Sequence, residues 1–127
     1  MDSVLVINAG SSSVKFQVFG IDANGGLTRL VKGQMDGIGT RPRLRAEAGN
    51  AAQPIDQHYA PEEVADVHAA LALTGDWLRH TQDLHPVAVG HRVVHGGPRY
   101  DRPVLIDGEV LAELERLVSL APLHQPN

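Results

Sequence analysis

The sequence predicts an α/β protein built on a mixed sheet. Three observations carry that expectation. Two apolar runs, Val4–Ile7 and Val14–Phe19, are joined by only six small or polar residues, so they pair antiparallel. Helical periodicity follows from about residue 61 and again from about residue 108. Between these helices lies Pro86 to Gly97, a largely apolar run ending in a glycine pair, whose composition fits a strand buried in a parallel sheet. A meander, a helix, a buried strand and a second helix together give a mixed sheet with flanking helices.

Taken in order, Val4–Ile7 is β-branched and leucine only, and reads as a strand covered on both faces. Val14, Phe16 and Val18 alternate with Lys15, Gln17 and Phe19, which predicts one face against a core. Asn24-Gly25-Gly26 is a turn, and alternation over Leu27–Met35 predicts a third meander strand. Asp36–Pro42 is Gly-rich and turn-like. Arg43–Glu47 and Ala52–Asp56 read either as a weak edge hairpin rich in arginine or as a solvated loop.

Pro61-Glu62-Glu63 has the residues of a first helical turn, with proline at an early position and acids at the positive end of the dipole. Val64, Val67, His68, Leu71 and Leu78 then share a face, and the helix is expected to end near Thr81. Asp107 is the expected cap of a second helix that buries Val110, Leu111, Leu114, Leu117 and Val118. The chain closes on Ala121–Asn127 without a helix stop or charged tail, which reads as an interrupted sequence.

The 127 residues suffice for one domain with a real core, at 43% hydrophobic and 20% charged residues. A net charge of −4 argues against a general nucleic-acid or membrane-surface binder. With no cysteine there is neither a disulfide framework nor a thiolate metal site, and a cytoplasmic setting is the default expectation. No apolar run approaches membrane-spanning length, and the N-terminus lacks the basic and apolar regions of a signal peptide.

Three stretches carry chemistry. In Asn8-Ala9-Gly10-Ser11-Ser12-Ser13, small residues let a ligand approach the backbone, Gly10 permits a left-handed turn, and hydroxyls and N–H groups converge with Lys15 just beyond. Lys15 lies in a strand rather than opening a helix, so this is not a Walker loop. It is a hairpin phosphate loop or a serine-rich turn. Asn8 ends a strand expected to be buried and needs a partner: a metal-bound water, a phosphate or the turn itself.

In Gly90-His91-Arg92-Val93-Val94-His95-Gly96-Gly97, Arg92 falls within an apolar strand. A buried guanidinium is costly unless paired, either with a distant acid or with the oxygens of a bound carboxylate or phosphate. His91 and His95 share the opposite face, but without a third ligand they read more readily as core histidines than as a zinc site. In Leu120–Pro126, His124 stands in a proline-stiffened segment where it either meets a ligand oxygen or caps a turn.

The first stretch, Val4 to Phe16, resembles the N-terminal signature of the acetate kinase family, which comprises acetate, propionate and butyrate kinases. Gly90–Gly97 resembles that family's second signature and Leu120–Asn127 a third, in the family's order. The resemblance implies a ribonuclease-H-like fold of the actin, Hsp70 and sugar kinase superfamily, with this chain as the N-terminal part of the first of two domains. It implies transfer of the ATP γ-phosphoryl to acetate with Mg²⁺, giving ADP and acetyl phosphate. By motif, Asn8 would help hold Mg²⁺, and Ser11, Ser13 and Lys15 would line the phosphate site. Arg92 would grip the carboxylate or the phosphoryl in flight, Val94 and Leu123 would shape the acyl pocket, and His124 would contact the site. The adenosine pocket, catalytic Asp, second Arg and transition-state His would lie beyond Asn127, so the chain alone is expected to be inactive. Full-length family members would be homodimers. The alternatives are a propionate or butyrate kinase, or a non-catalytic phosphate-binding module.

Overall fold

A computed structural model of the chain describes residues 2–49, 54–92 and 102–116. The chain divides into two compact units, Met1–Arg92 and Val93–Asn127. The first holds a six-stranded sheet and one helix. In chain order these are β1 (Asp2–Ala9), β2 (Val14–Ile21), β3 (Leu27–Asp36), β4 (Arg43–Ala48), β5 (Ile55–His58), α1 (Val67–His80) and β6 (Ala88–His91). The second unit contributes α2 (Gly108–Arg116).

The strand order is β5-β4-β3-β2-β1-β6. Neighbours from β5 to β1 run antiparallel, and β6 returns through α1 to lie parallel to β1. This is the expected mixed α/β sheet, opened by the expected hairpin. Arg43–Ala48 and Ile55–His58 form the edge hairpin rather than a loop, joined by the bidentate pair from Arg43 Nε and Nη2 to Asp56 (2.8 and 2.5 Å).

One sheet face makes the core. Ile7 and Ala9 from β1, Val14, Phe16 and Val18 from β2, Val31 and Met35 from β3, and Leu44 and Ala46 from β4 all point to it. Ala70, Trp77 and Leu78 of α1 complete the same cluster. Gly33 and Phe16 are direct cross-strand partners, and the Phe16 ring meets Trp77 edge-on, centroids 6.2 Å apart at 68°. Such a contact contributes about 0.5–1.5 kcal/mol beyond area burial.

Four expectations need correction. Val4–Ile7 is not covered on both faces: Ile7 is buried, but Val6 is 42% exposed, because no element among the described residues covers the outer face of β1. The Pro61-Glu62-Glu63 stretch forms a turn instead of opening α1. Glu63 N–H donates to the Ala60 carbonyl, and the Glu63 carboxylate accepts from Ala60 N–H, which closes that segment on itself. The cap falls to Asp66, whose backbone is extended and whose Oδ1 accepts from Ala69 N–H at 2.7 Å. His68 is exposed, and the buried positions of α1 are Ala70, Thr74, Trp77 and Leu78. In the Pro86–Gly97 run, expected as a buried strand, the described strand is Ala88–His91, and all four of its residues are exposed.

α2 begins where expected. Asp107 Oδ1 accepts from Val110 N–H at 2.9 Å, and Val110 is buried while Leu111 is 51% exposed. Leu117 and Val118 lie outside the described residues.

Candidate phosphate and carboxylate site

The hairpin loop is built by register. Asn8 pairs with Lys15 and Ala9 with Val14, after which Gly10 N–H donates to the Ser13 carbonyl at 2.8 Å and closes the turn. Ser11 and Ser12 are exposed and Ser13 is half-buried. Gly10 does not take a left-handed conformation; positive φ occurs instead at Gly25, Gly37 and Gly39. Its small size matters for a different reason: a Cβ there would stand 3.1 Å from Ser13 Oγ.

Arg92 joins this end of the sheet. Its N–H donates to the Ile7 carbonyl at 3.1 Å, one residue past the Ile7–His91 pair, which sets it beside Asn8. Both Asn8 and Arg92 are exposed, which corrects the buried placement expected for each. The reason is common to both: β6 is an edge strand of the described sheet, and no element among the described residues covers the outer face of β1. Among the described residues neither the Arg92 guanidinium nor the Lys15 ammonium forms a hydrogen bond or ion pair. His91 Nδ1–H donates to the Arg92 carbonyl at 2.6 Å. His95, Val94, Leu123 and His124 lie outside the described residues.

The strand register reveals a row that motif reading missed. Asn8, Lys15, Gln34, Arg45 and Asp56 stand abreast on the outer face, one per strand from β1 to β5. An open groove of about 490 Å³ runs along it, with Lys15, Gln17, Lys32, Gln34, Arg45 and Asp56 among its walls. Asp36, at the end of β3, accepts from Gln34 Nε2 at 2.5 Å and Arg45 Nη2 at 2.8 Å. Burial would raise its pKa, but the bonds from Gln34 and Arg45 and the attraction of Arg45 and Lys15 outweigh this and hold it below the usual 3.8. Strand alternation, which puts Asp36 on the same face as Lys32 and Gln34, was the available signal.

A carboxyl with a depressed folded pKa contributes stability above its unfolded value and loses it as pH falls through the folded one. Asp36→Asn should therefore lower the melting temperature at pH 7, and its difference from the parent should close as the pH drops below about 4. Melting curves from pH 7 to pH 3 check this; a constant difference would assign the effect to packing instead.

Oxygen donors at the loop are neutral: the Asn8 amide and the serine hydroxyls. Among the described residues no group of three His, Cys, Asp or Glu is arranged to hold a metal. Asp36, the carboxylate at this end of β3, is committed to Gln34 and Arg45. The donor set fits a Mg²⁺ ion that brings phosphate oxygens as its charged ligands and takes an amide oxygen, directly or through water, from Asn8.

The model of the acetokinase family matches residues 3–127. The chain belongs to the acetokinase family. Similar curated relatives include acetate kinases of Nitrobacter hamburgensis, 62% identical over 127 residues, and Rhizobium meliloti, 57% identical over 127 residues. Each match covers 100% of this chain but 31% and 32% of the relative, so the chain spans about a third of their length. Among solved structures, an acetate kinase from Porphyromonas gingivalis superimposes with a TM-score of 0.82 at 30% identity, covering 99% of this chain and 32% of that one. A propionate kinase from Francisella tularensis gives 0.81 at 32% identity, covering 99% and 31%. The family and its ribonuclease-H-like mixed sheet are thus those the three motifs implied. No helix among the described residues is long and apolar enough to cross a membrane.

Proposed function

We propose that this chain is the N-terminal third of an acetate kinase, and that it carries the phosphate-holding wall of the active site. What supports the reading is the convergence, at one sheet end, of an exposed serine loop and two uncommitted cations, Lys15 and Arg92, in a chain of this family.

The chemistry explains why such a wall is needed. A short carboxylic acid is already ionised at pH 7, as Asp and Glu side chains are, so its attack on phosphorus needs little help from a base. The obstacle is bringing two anions together, and positioning with charge neutralisation does most of the work. A carboxylate oxygen forms the new P–O bond as the bond from the γ-phosphorus to the bridging oxygen breaks, leaving ADP and an acyl phosphate. Ser11 and Ser13 donate hydroxyl hydrogen bonds to phosphate oxygens, and Lys15 offsets their charge. Arg92, with its planar fork, holds the carboxylate or the phosphoryl group in flight. Val94 and Leu123 shape the acyl pocket, and His124 contacts the reacting groups. Mg²⁺, when bound near Asn8, neutralises phosphate charge.

The adenosine pocket and the opposite wall come from the remainder of a longer, homodimeric kinase, and the cysteine-free chain suits a reducing cytoplasm. The test is acyl phosphate formation by the full-length kinase with acetate, propionate and butyrate. The highest kcat/KM is expected for acetate, and none of the three should be phosphorylated by the 127-residue chain alone. A preference for propionate or butyrate would replace the substrate. Binding of Mg·ATP without any carboxylate turnover would favour a phosphate-binding module.

A further inference from the structure

The serine loop is an exposed hairpin tip, and such tips are ordinarily the most mobile parts of a sheet. This one is tied to the turn after β3 by a backbone bond: Ile38 N–H donates to the Ser12 carbonyl at 3.1 Å. The peptide bonds are trans, so a carbonyl and the N–H of the next residue point in opposite directions. With the Ser12 carbonyl held by Ile38, the Ser13 N–H points the opposite way, away from the β3 side of the loop. It makes no hydrogen bond among the described residues.

Ile38 is itself held rigidly. Its side chain is in the core, 7% exposed. Gly37 before it has φ +64°, and a Cβ there would lie 2.2 Å from the Arg41 carbonyl oxygen. That crowding follows from a tight turn in which Thr40 and Arg41 N–H both donate to the Gly37 carbonyl, at 3.0 and 2.8 Å. Gly39 after it, at φ +83°, donates its N–H to the Val64 carbonyl at 2.9 Å, and Val64 is fully buried just ahead of α1. Three segments distant in sequence are thereby linked: the lead into α1, the Gly37–Gly39 turn and the serine loop.

We propose that the Gly37–Gly39 turn is the positioning element of the phosphate loop, with Ile38 N–H fixing the Ser12–Ser13 peptide so that Ser13 N–H is aimed at the nucleotide phosphate. This rests on the phosphate-binding role given above to the serine loop. A donor fixed before the ligand arrives costs no reorganisation during the reaction, and backbone N–H groups arranged in this way favour anions. Ile38 and Gly37 touch no substrate; they act through Ser13.

The test is made in the full-length kinase that carries this segment. Gly37→Ala should raise the ATP KM about tenfold or more, the scale of one hydrogen bond to a charged group, with the carboxylate KM little changed. Gly25→Ala is the control. It has the same backbone sign, φ +78°, in a turn at the far end of the sheet where a Cβ meets nothing within 4 Å. It should lower the melting temperature and leave the ATP KM alone. If Gly37→Ala does not fold, replacing the Ile38 amide by an ester removes the N–H while keeping the side chain, and the same rise in ATP KM is expected. Ser13→Ala and Lys15→Ala complete the set. If they raise the ATP KM while the Ile38 ester and Gly37→Ala do not, the positioning role is overturned and the phosphate loop stands. If none of the four moves it, the phosphate role of the loop falls as well.

Discussion

Arg92→Ala in the full-length kinase is expected to lower kcat by about three orders of magnitude, the lower range for an arginine that stabilises a transferring phosphoryl group. The expectation has a structural basis beyond the motif. Arg92 is fixed through its backbone by the bond to the Ile7 carbonyl, while its exposed side chain has no hydrogen bond or ion pair among the described residues. Removing it breaks no side-chain hydrogen bond or ion pair among the described residues, so the melting temperature should stay within about a degree or two, as for a neutral surface change. The loss is thus expected in turnover and not in folding. Arg92→Lys should recover little, because a single ammonium cannot reproduce the planar fork across two oxygens. The ATP KM should change far less than kcat, since Lys15 and the serine loop remain. Undiminished acetate turnover in Arg92→Ala would remove this residue from the chemistry. A loss of melting temperature matching the loss of rate would make it a structural residue.

The same residue shows where sequence reading reaches its limit. The apolar neighbours of Arg92 and Asn8 are visible in sequence, and in a parallel sheet they argue for burial. Whether a strand is covered on both faces depends on what packs there, and β6 has only β1 beside it among the described residues. The hairpin was legible because alternation and a short loop are local properties. So was the cap at Asp107. The start of α1 was not, because two capping signals compete within six residues: Glu63 spends its carboxylate on Ala60, leaving Asp66 to cap the helix. The Asp36–Arg45–Gln34 group was hidden for a further reason. Alternation along β3 puts Gln34 and Asp36 on one face, but Arg45 joins them only through strand register, and no motif spacing encodes that. The link from Ile38 to Ser12 was likewise invisible, since both ends are backbone atoms.

Gly33→Ala is expected to destabilise the fold by about 2–3 kcal/mol, at the upper end of overpacking costs. The sign runs against the usual effect, since alanine in a strand normally restrains the unfolded chain and gains about 0.5–1 kcal/mol over glycine. Here the space is taken: a Cβ on Gly33 would fall 2.2 Å from Phe16 Cζ and 2.7 and 2.8 Å from its two Cε atoms. The ring lies across the glycine and fills the hollow that a missing side chain leaves in the sheet. It has no free direction of escape, because Phe16 is 2% exposed and Trp77 of α1 stands against it. The clash should therefore pass from β3 through Phe16 to the helix. Trp77 is the chain's only tryptophan, so its fluorescence during denaturant unfolding reports this packing directly. Phe16→Leu alone should cost about 1–2 kcal/mol through lost volume and lost ring contact. Combined with Gly33→Ala it should cost less than the sum by about 1 kcal/mol or more, since a shorter side chain makes room for the new methyl. Additive losses would show that the two residues do not share this space. The coupling also reaches the site. Phe16 follows Lys15 on β2, so a displaced Phe16 backbone carries the Lys15 ammonium with it. Gly33→Ala should therefore raise the ATP KM of the full-length kinase, and Phe16→Leu in the same background should bring part of it back.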